Sequence, residues 1–158
     1  MTSKRTYDEI ININVGGKKF TVKRSVLTAD PKSRLADWFK PNATKTVAQD
    51  KAGNFFLDRD GRTFRHILTY LRFRKEKFAA SLSIPSSPDE VAKVLGEADA
   101  LQLDELRDMC AEMLSRYQKE ELGYSTAYIQ CVLRDFEGWS YEKGGNTEER
   151  KPVDTDGW

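Results

Sequence analysis

Nowhere in the 158 residues do about eighteen apolar side chains run together, so no membrane-spanning helix is expected. Cysteine is nearly missing. Cys110 and Cys131 are the only two, neither has another cysteine two to four residues away, and a disulfide framework is excluded. Histidine occurs once, as His66 between Arg65 and Ile67, which leaves both nucleophile–base and zinc arrangements short of parts. Charge of one sign is also lacking: the net charge is +1, and with it goes any global attraction for nucleic acid or a membrane surface. Met1 to Glu9 is polar and has no apolar stretch of the signal-peptide kind. These absences lead to the expectation of a cytoplasmic protein with no nucleic-acid partner and no direct membrane insertion.

What is present is a chain with 39% hydrophobic and 32% charged residues, the balance of a globular domain with a heavily charged surface. Its length suits one domain with trimmings. Ile10 to Val15 alternates, with Ile11, Ile13 and Val15 on one face and Asn12 and Asn14 on the other. Gly16-Gly17 then interrupts and Lys19 to Val22 resumes, which reads as a β-hairpin. Ser25 to Phe39 reads as two short helical pieces parted by Asp30-Pro31. Lys40 to Asn54 follows neither period and is expected to be a loop. A short strand is expected at Phe55 to Leu57. After it, Phe64, Ile67, Leu68 and Leu71 form one helical stripe, with Asp60 as its N-cap.

Beyond a break at Phe78 to Ser86, Ser87-Pro88-Asp89-Glu90 has the form of a capping box. The stripe Val91, Val94, Leu95, Ala98, Leu101 follows, then a turn near Gln102 to Asp104. A second stripe at Leu106, Met109, Cys110, Met113, Leu114 and Tyr117 completes a helical hairpin. The resulting division is a flexible N-terminus at 1–6, a domain at 7–121, an additional strand or helix at 122–137, and a mobile tail at 138–158.

Several constellations could carry chemistry, and each lacks something. Val15-Gly16-Gly17-Lys18-Lys19 does not have the glycine spacing or Lys-Ser/Thr ending of a phosphate cradle. Asp58-Arg59-Asp60-Gly61 resembles part of a calcium loop, but Thr69 stands where the closing glutamate is needed. Asp58 and Asp60 as an acid–base pair are separated by Arg59, and capping is sufficient employment for Asp60. Phe64, Tyr70, Phe73 and Phe78 interleave with arginines as in an RNA site, yet Phe64 belongs to the core stripe. No catalytic residue, cofactor or metal is therefore expected.

The charge layout carries more. Arg59 to Lys77 holds seven basic residues against Asp60 and Glu76, whereas Ser86 to Glu121 holds ten acidic residues against four basic ones. Opposed faces on one small domain favour head-to-tail association, which closes into a ring where the rotation allows. A solvated charged face is the plain alternative.

The order of motifs is informative beyond charge. Asn14-Val15-Gly16-Gly17-Lys18-Lys19-Phe20, then Leu27 to Leu35, then Phe55-Phe56-Leu57-Asp58-Arg59-Asp60-Gly61-Arg62-Thr63-Phe64 through Arg72 closely resembles the BTB/POZ domain of potassium-channel-tetramerisation (KCTD-like) proteins. Glu97-Ala98 through Leu103 looks like the same family's helix end. The resemblance, over Tyr7 to Tyr117, implies an α/β fold: a small sheet flanked by helices, here with a C-terminal extension. It also implies a homo-oligomer, tetramer or pentamer, joined by polar contacts for which Asp58, Arg59, Asp60 and Arg65 are the candidates. Val22, Val26 and Phe73-Arg74-Lys75 depart from the family pattern, and the cysteine pair used by zinc-linked members is missing, so no zinc is expected. In function the resemblance implies an adaptor joining a cullin scaffold of a ubiquitin ligase to a protein substrate, the latter through the region after Gly123. Trp38 and Phe39 are candidate partner-binding residues, though both could equally be core. The alternative is a cytoplasmic assembly domain that clusters a channel or receptor without ubiquitin chemistry.

Overall fold

The computed structural model describes residues 8–120, with side chains through residue 117. β1 (Ile10–Val15) and β2 (Lys18–Lys23) form the expected hairpin, in register from Ile10↔Lys23 to Val15↔Lys18. Ile11, Ile13 and Val15 are buried, as a two-residue period against one covered face requires. β3 (Phe55–Leu57) joins β1 in parallel, giving the order β2-β1-β3. Periodicity shows that a strand exists; it does not say which neighbour a three-residue strand will choose. The outer side of β3 is partly covered, because Phe56 N–H donates to the Ala48 carbonyl at 2.7 Å. β2 is the opposite edge.

α1 (Arg24–Leu27) and α2 (Arg34–Phe39) are the two short helical pieces. Ser33 caps α2 by accepting from Ala36 N–H at 3.1 Å. α3 (Gly61–Lys75) buries Phe64, Ile67, Leu68 and Leu71 on one stripe, and Tyr70 as well. Asp60 is its N-cap: the carboxylate accepts from Arg62 N–H at 3.2 Å and from the Thr63 hydroxyl at 2.7 Å. A 3-10 turn at Ala80–Ser83 lies inside the expected break.

α4 (Pro88–Ala100) starts where Ser87-Pro88 indicated, but the Ser87 side chain makes no capping hydrogen bond. The capping box is thus not formed. Proline at the first position and Asp89 and Glu90 in the first turn supply the start by backbone preset and dipole complementarity. α5 (Asp104–Glu120) returns antiparallel along α4, after a turn in which Gln102 takes a left-handed φ of 57°. The Tyr117 hydroxyl donates to the Ser86 carbonyl and ties the last turns of α5 to the base of α4.

The core is one cluster, shared by the inner sheet face and the stripes of α3, α4 and α5. Two glycines lock the hairpin to α3. Gly16, at φ +56°, lies so close to Arg59 that a Cβ there would stand 2.3 Å from its carbonyl oxygen. A Cβ on Gly61 would stand 2.6 Å from Lys18 Cβ and 2.7 Å from the Val15 oxygen. The extra element expected at 122–137 and the tail at 138–158 lie outside the described residues, as does the N-terminus at 1–6.

Candidate interaction surfaces

The turn between β3 and α3 carries three of the four expected oligomer-interface residues, and their surroundings differ. Asp58 is exposed, and its carboxylate makes no hydrogen bond or ion pair among the described residues. Arg59 faces the other way, toward α4. It holds Glu97 in a two-point grip, Nε to Oε2 at 2.9 Å and Nη2 to Oε1 at 2.8 Å. Hydrogen bonding to Glu97 raises the guanidinium's pKa against the opposing effect of burial. Asp60 is spent on the α3 cap, with its pKa held below the usual carboxylate range first by the Thr63 hydroxyl.

Arg65, one turn into α3, is exposed and makes no side-chain pair among the described residues. It lines a polar basin of about 410 Å³ in which Asp60, Arg62 and His66 of the same helix face Lys18 of β2 and Asp89, Glu90 and Lys93 of α4. Among the described residues, none of Lys18, Arg62, Arg65, Lys93, Asp89 and Glu90 forms an ion pair within 4.0 Å. His66 has its pKa lowered, chiefly by burial and then by Arg65, with Glu90 opposing. Charges of both signs that are not locked into close ion pairs are suited to a polar protein contact, because they remain able to pair with a second surface.

The basic and acidic segments do not meet solely as outer faces. Arg59–Glu97 joins them inside one chain, and so does Arg74 Nη1 to Glu105 Oε2 at 2.5 Å, where the Tyr70 hydroxyl also donates to Glu105 at 2.9 Å. Part of the asymmetry seen in sequence is therefore satisfied within the fold. Sequence reasoning did not group Lys18, His66 and Lys93 or pair Glu97 with Arg59, since nothing in spacing alone brings β2, the start of α3 and α4 together.

Trp38 and Phe39 separate cleanly. Phe39, 1% exposed, is core and stacks edge-on against Phe55 with ring centroids 5.4 Å apart. Trp38 is half-buried and borders an open cleft of about 480 Å³ shared with Lys45, Thr46, Val47, Ala48, Phe56 and Leu57. Helical rotation explains the split, for adjacent residues on a helix point about 100° apart. Among the described residues, no group of three or more His, Cys, Asp or Glu side chains could hold a metal ion, and no helix is long and apolar enough to cross a membrane. Cys110 is buried, which pushes its thiol up to about 12.

Comparison with known proteins follows the same outline. A family model described as BTB/POZ domain matches residues 11–110. The mouse and human proteins both described as BTB/POZ domain-containing protein KCTD21 are 34% identical over 111 residues, which is 70% of this chain and 40% of theirs. The FH protein interacting protein FIP2 of Arabidopsis thaliana is 37% identical over 109 residues, 68% of this chain and 34% of its own. The chain thus spans less than half the length of these relatives.

Proposed function

The chain belongs to the BTB/POZ domain family, in its potassium-channel-tetramerisation type, and from that premise we propose that it is a homo-oligomerising adaptor linking a protein substrate to a cullin-based ubiquitin ligase. Family match over residues 11–110 is the observation that carries the reading. Open ionic side chains around the start of α3 support the assembly half of it. Asp58 and Arg65 are free to reach a neighbouring copy; Arg59 and Asp60 act by holding that turn in place, one through Glu97 and the other through the α3 cap. Trp38 is the retained partner-binding candidate, and the substrate is met by the region after Gly123. The division into a domain at 7–121 followed by an extension is part of the same proposal. Binding, not catalysis, is the proposed activity, and the plant relative's description as an interacting protein points the same way.

Size-exclusion chromatography with light scattering tests assembly. The expected result is four or five chain masses, falling as salt is raised, because polar contacts are screened over about 8 Å at physiological ionic strength and less beyond it. A monomer at high concentration overturns the assembly claim. Titration with a purified cullin N-terminal domain tests the adaptor claim. Absence of binding at micromolar concentration removes it and leaves the clustering of a channel or receptor as the function of the ring.

A further inference from the structure

Among the described residues no strand pairs with the outer side of β2. Val15↔Lys18 closes the two-residue loop, so the hydrogen-bonded pairs across the hairpin are Val15–Lys18, Ile13–Phe20 and Ile11–Val22. The backbone N–H and C=O groups of Lys19, Thr21 and Lys23 therefore point away from β1, and no other described segment takes them up. Six residues in unbroken register, with no proline and no bulge, leave a rim long enough to accept another strand.

The side chains of this rim are positive and unanswered. Lys18, Lys19 and Lys23 are exposed and form no ion pair among the described residues. Carboxylates beside the sheet are committed elsewhere: Glu9 to Arg24 Nη2 at 2.6 Å, Asp50 to Asn14 Nδ2 at 3.0 Å, and Asp60 to the α3 cap. Alternation puts Lys19, Thr21 and Lys23 on the solvent face, where the Thr21 hydroxyl donates to Asn12 Oδ1 at 2.9 Å. Phe20 and Val22 face inward, and Phe20 remains only half-buried. A visiting strand would thus meet two cations, four residues apart, on one face and an aromatic side chain on the other. A second copy of β2 has the wrong sign for this role, and residues 1–7 hold Lys4 and Arg5 but no carboxylate.

We propose that the β2 rim is a strand-addition site for an extended acidic segment of a partner protein. The segment runs antiparallel to β2, with carboxylates opposite Lys19 and Lys23, a small polar residue opposite Thr21, and apolar side chains at the positions between. Backbone pairing holds the strand, and the lysines select its sign. The site depends neither on assembly nor on a cullin.

The test uses the full chain, nitrogen-15 labelled, titrated with three blocked peptides. These are Ser-Glu-Val-Thr-Val-Glu-Ser, its lysine counterpart Ser-Lys-Val-Thr-Val-Lys-Ser, and the acidic peptide N-methylated at its threonine, which keeps the charge and loses the central donor. Expected are shifts and slowed hydrogen exchange at the Lys19, Thr21 and Lys23 amides, with the acidic peptide bound about tenfold more tightly than the lysine one at low salt and the difference shrinking at high salt. The N-methylated peptide should leave those amides unchanged. Lys19→Glu with Lys23→Glu, both surface changes, should reverse the preference. Silence of the three amides overturns the inference, as does equal binding of the two signs of charge or undiminished binding of the N-methylated peptide. Exchange at these amides that is already slow in the free chain would show the rim covered by the chain itself, and overturns it too. Light scattering on the same samples should give a mass unchanged by peptide; a mass that falls as peptide binds assigns β2 to a contact between copies and removes the partner site.

Discussion

Removing the Arg59 side chain should expose how much of this domain's stability depends on an ionic clasp between the β3–α3 turn and α4. The two side chains are unequally exposed, 37% for Arg59 and 11% for Glu97. Breaking a fully buried pair by deleting one member costs about 3–5 kcal/mol, because the survivor is left charged and unsolvated. Arg59→Met leaves the better-buried survivor, yet the half-open arginine site lets water reach Glu97, so the cost falls to about 2 kcal/mol. Glu97→Gln leaves a guanidinium that solvent already touches, and should cost about 1 kcal/mol. At about 4 °C per kcal/mol for a domain of this size, the first variant should melt about 8 °C lower and the second about 4 °C lower. Arg59→Met with Glu97→Gln should fall by less than the sum, as no charge is left stranded. The assay is thermal unfolding at several protein concentrations, since the proposed assembly would itself raise the midpoint. Strict additivity would refute the clasp. So would an Arg59→Met protein that melts normally but loses oligomer mass, for then the arginine holds a neighbouring copy and not its own α4.

Three further outcomes can be checked. Gly16→Ala should destabilise by more than about 2 kcal/mol, since it places a Cβ against the Arg59 carbonyl at a left-handed φ, whereas Gly17→Ala, with open space around it, should suffer only its backbone strain; chemical denaturation compares them. Asp50 has its pKa lowered to about 2, first by Asn14 and Asn54, so the stability it adds is present above the unfolded value of 3.8 and is lost as pH falls toward 2; Asp50→Asn should flatten that part of the acid-denaturation curve. In a Cys131→Ser background, Cys110 should react with a thiol reagent only as fast as the domain opens, because its burial suppresses the thiolate; rapid labelling of the folded protein would contradict this.

How much of this was legible in the sequence depends on the range of the interaction. Local signals carried well: the Ile11-Ile13-Val15 alternation, the Phe64-to-Leu71 stripe and the Asp60 cap all stand as expected. Ser87 marked the right helix start for the wrong reason, because a capping box is a statement about side-chain direction and the composition of a terminus does not set it. The Trp38-Phe39 pair was divided by helical rotation into one core residue and one at the surface. Opposed charge was visible in the segment totals, but pairing was not. Arg59 meets a residue 38 positions away and Arg74 one 31 positions away, distances over which only the packed fold chooses partners. The glycine pair read as a turn, and its second duty, admitting the Arg59 backbone, could not be read from a pattern of one strand and one loop.

The two rims of the sheet invite different fates in a crowded solution. At the β3 side the chain's own loop has already taken the place that a foreign strand would want. Among the described residues β2 has no such cover from a strand, but it carries Lys19 and Lys23 on either side of Thr21, all exposed. Two such rims laid antiparallel about Thr21 would set each Lys19 opposite a Lys23, so four positive charges would meet along one seam, and like charges placed opposite one another oppose pairing. Open-ended stacking of sheets is discouraged at one rim by occupancy and at the other by repulsion. Any contact between copies would then fall to side chains, and the sheet itself is kept from growing.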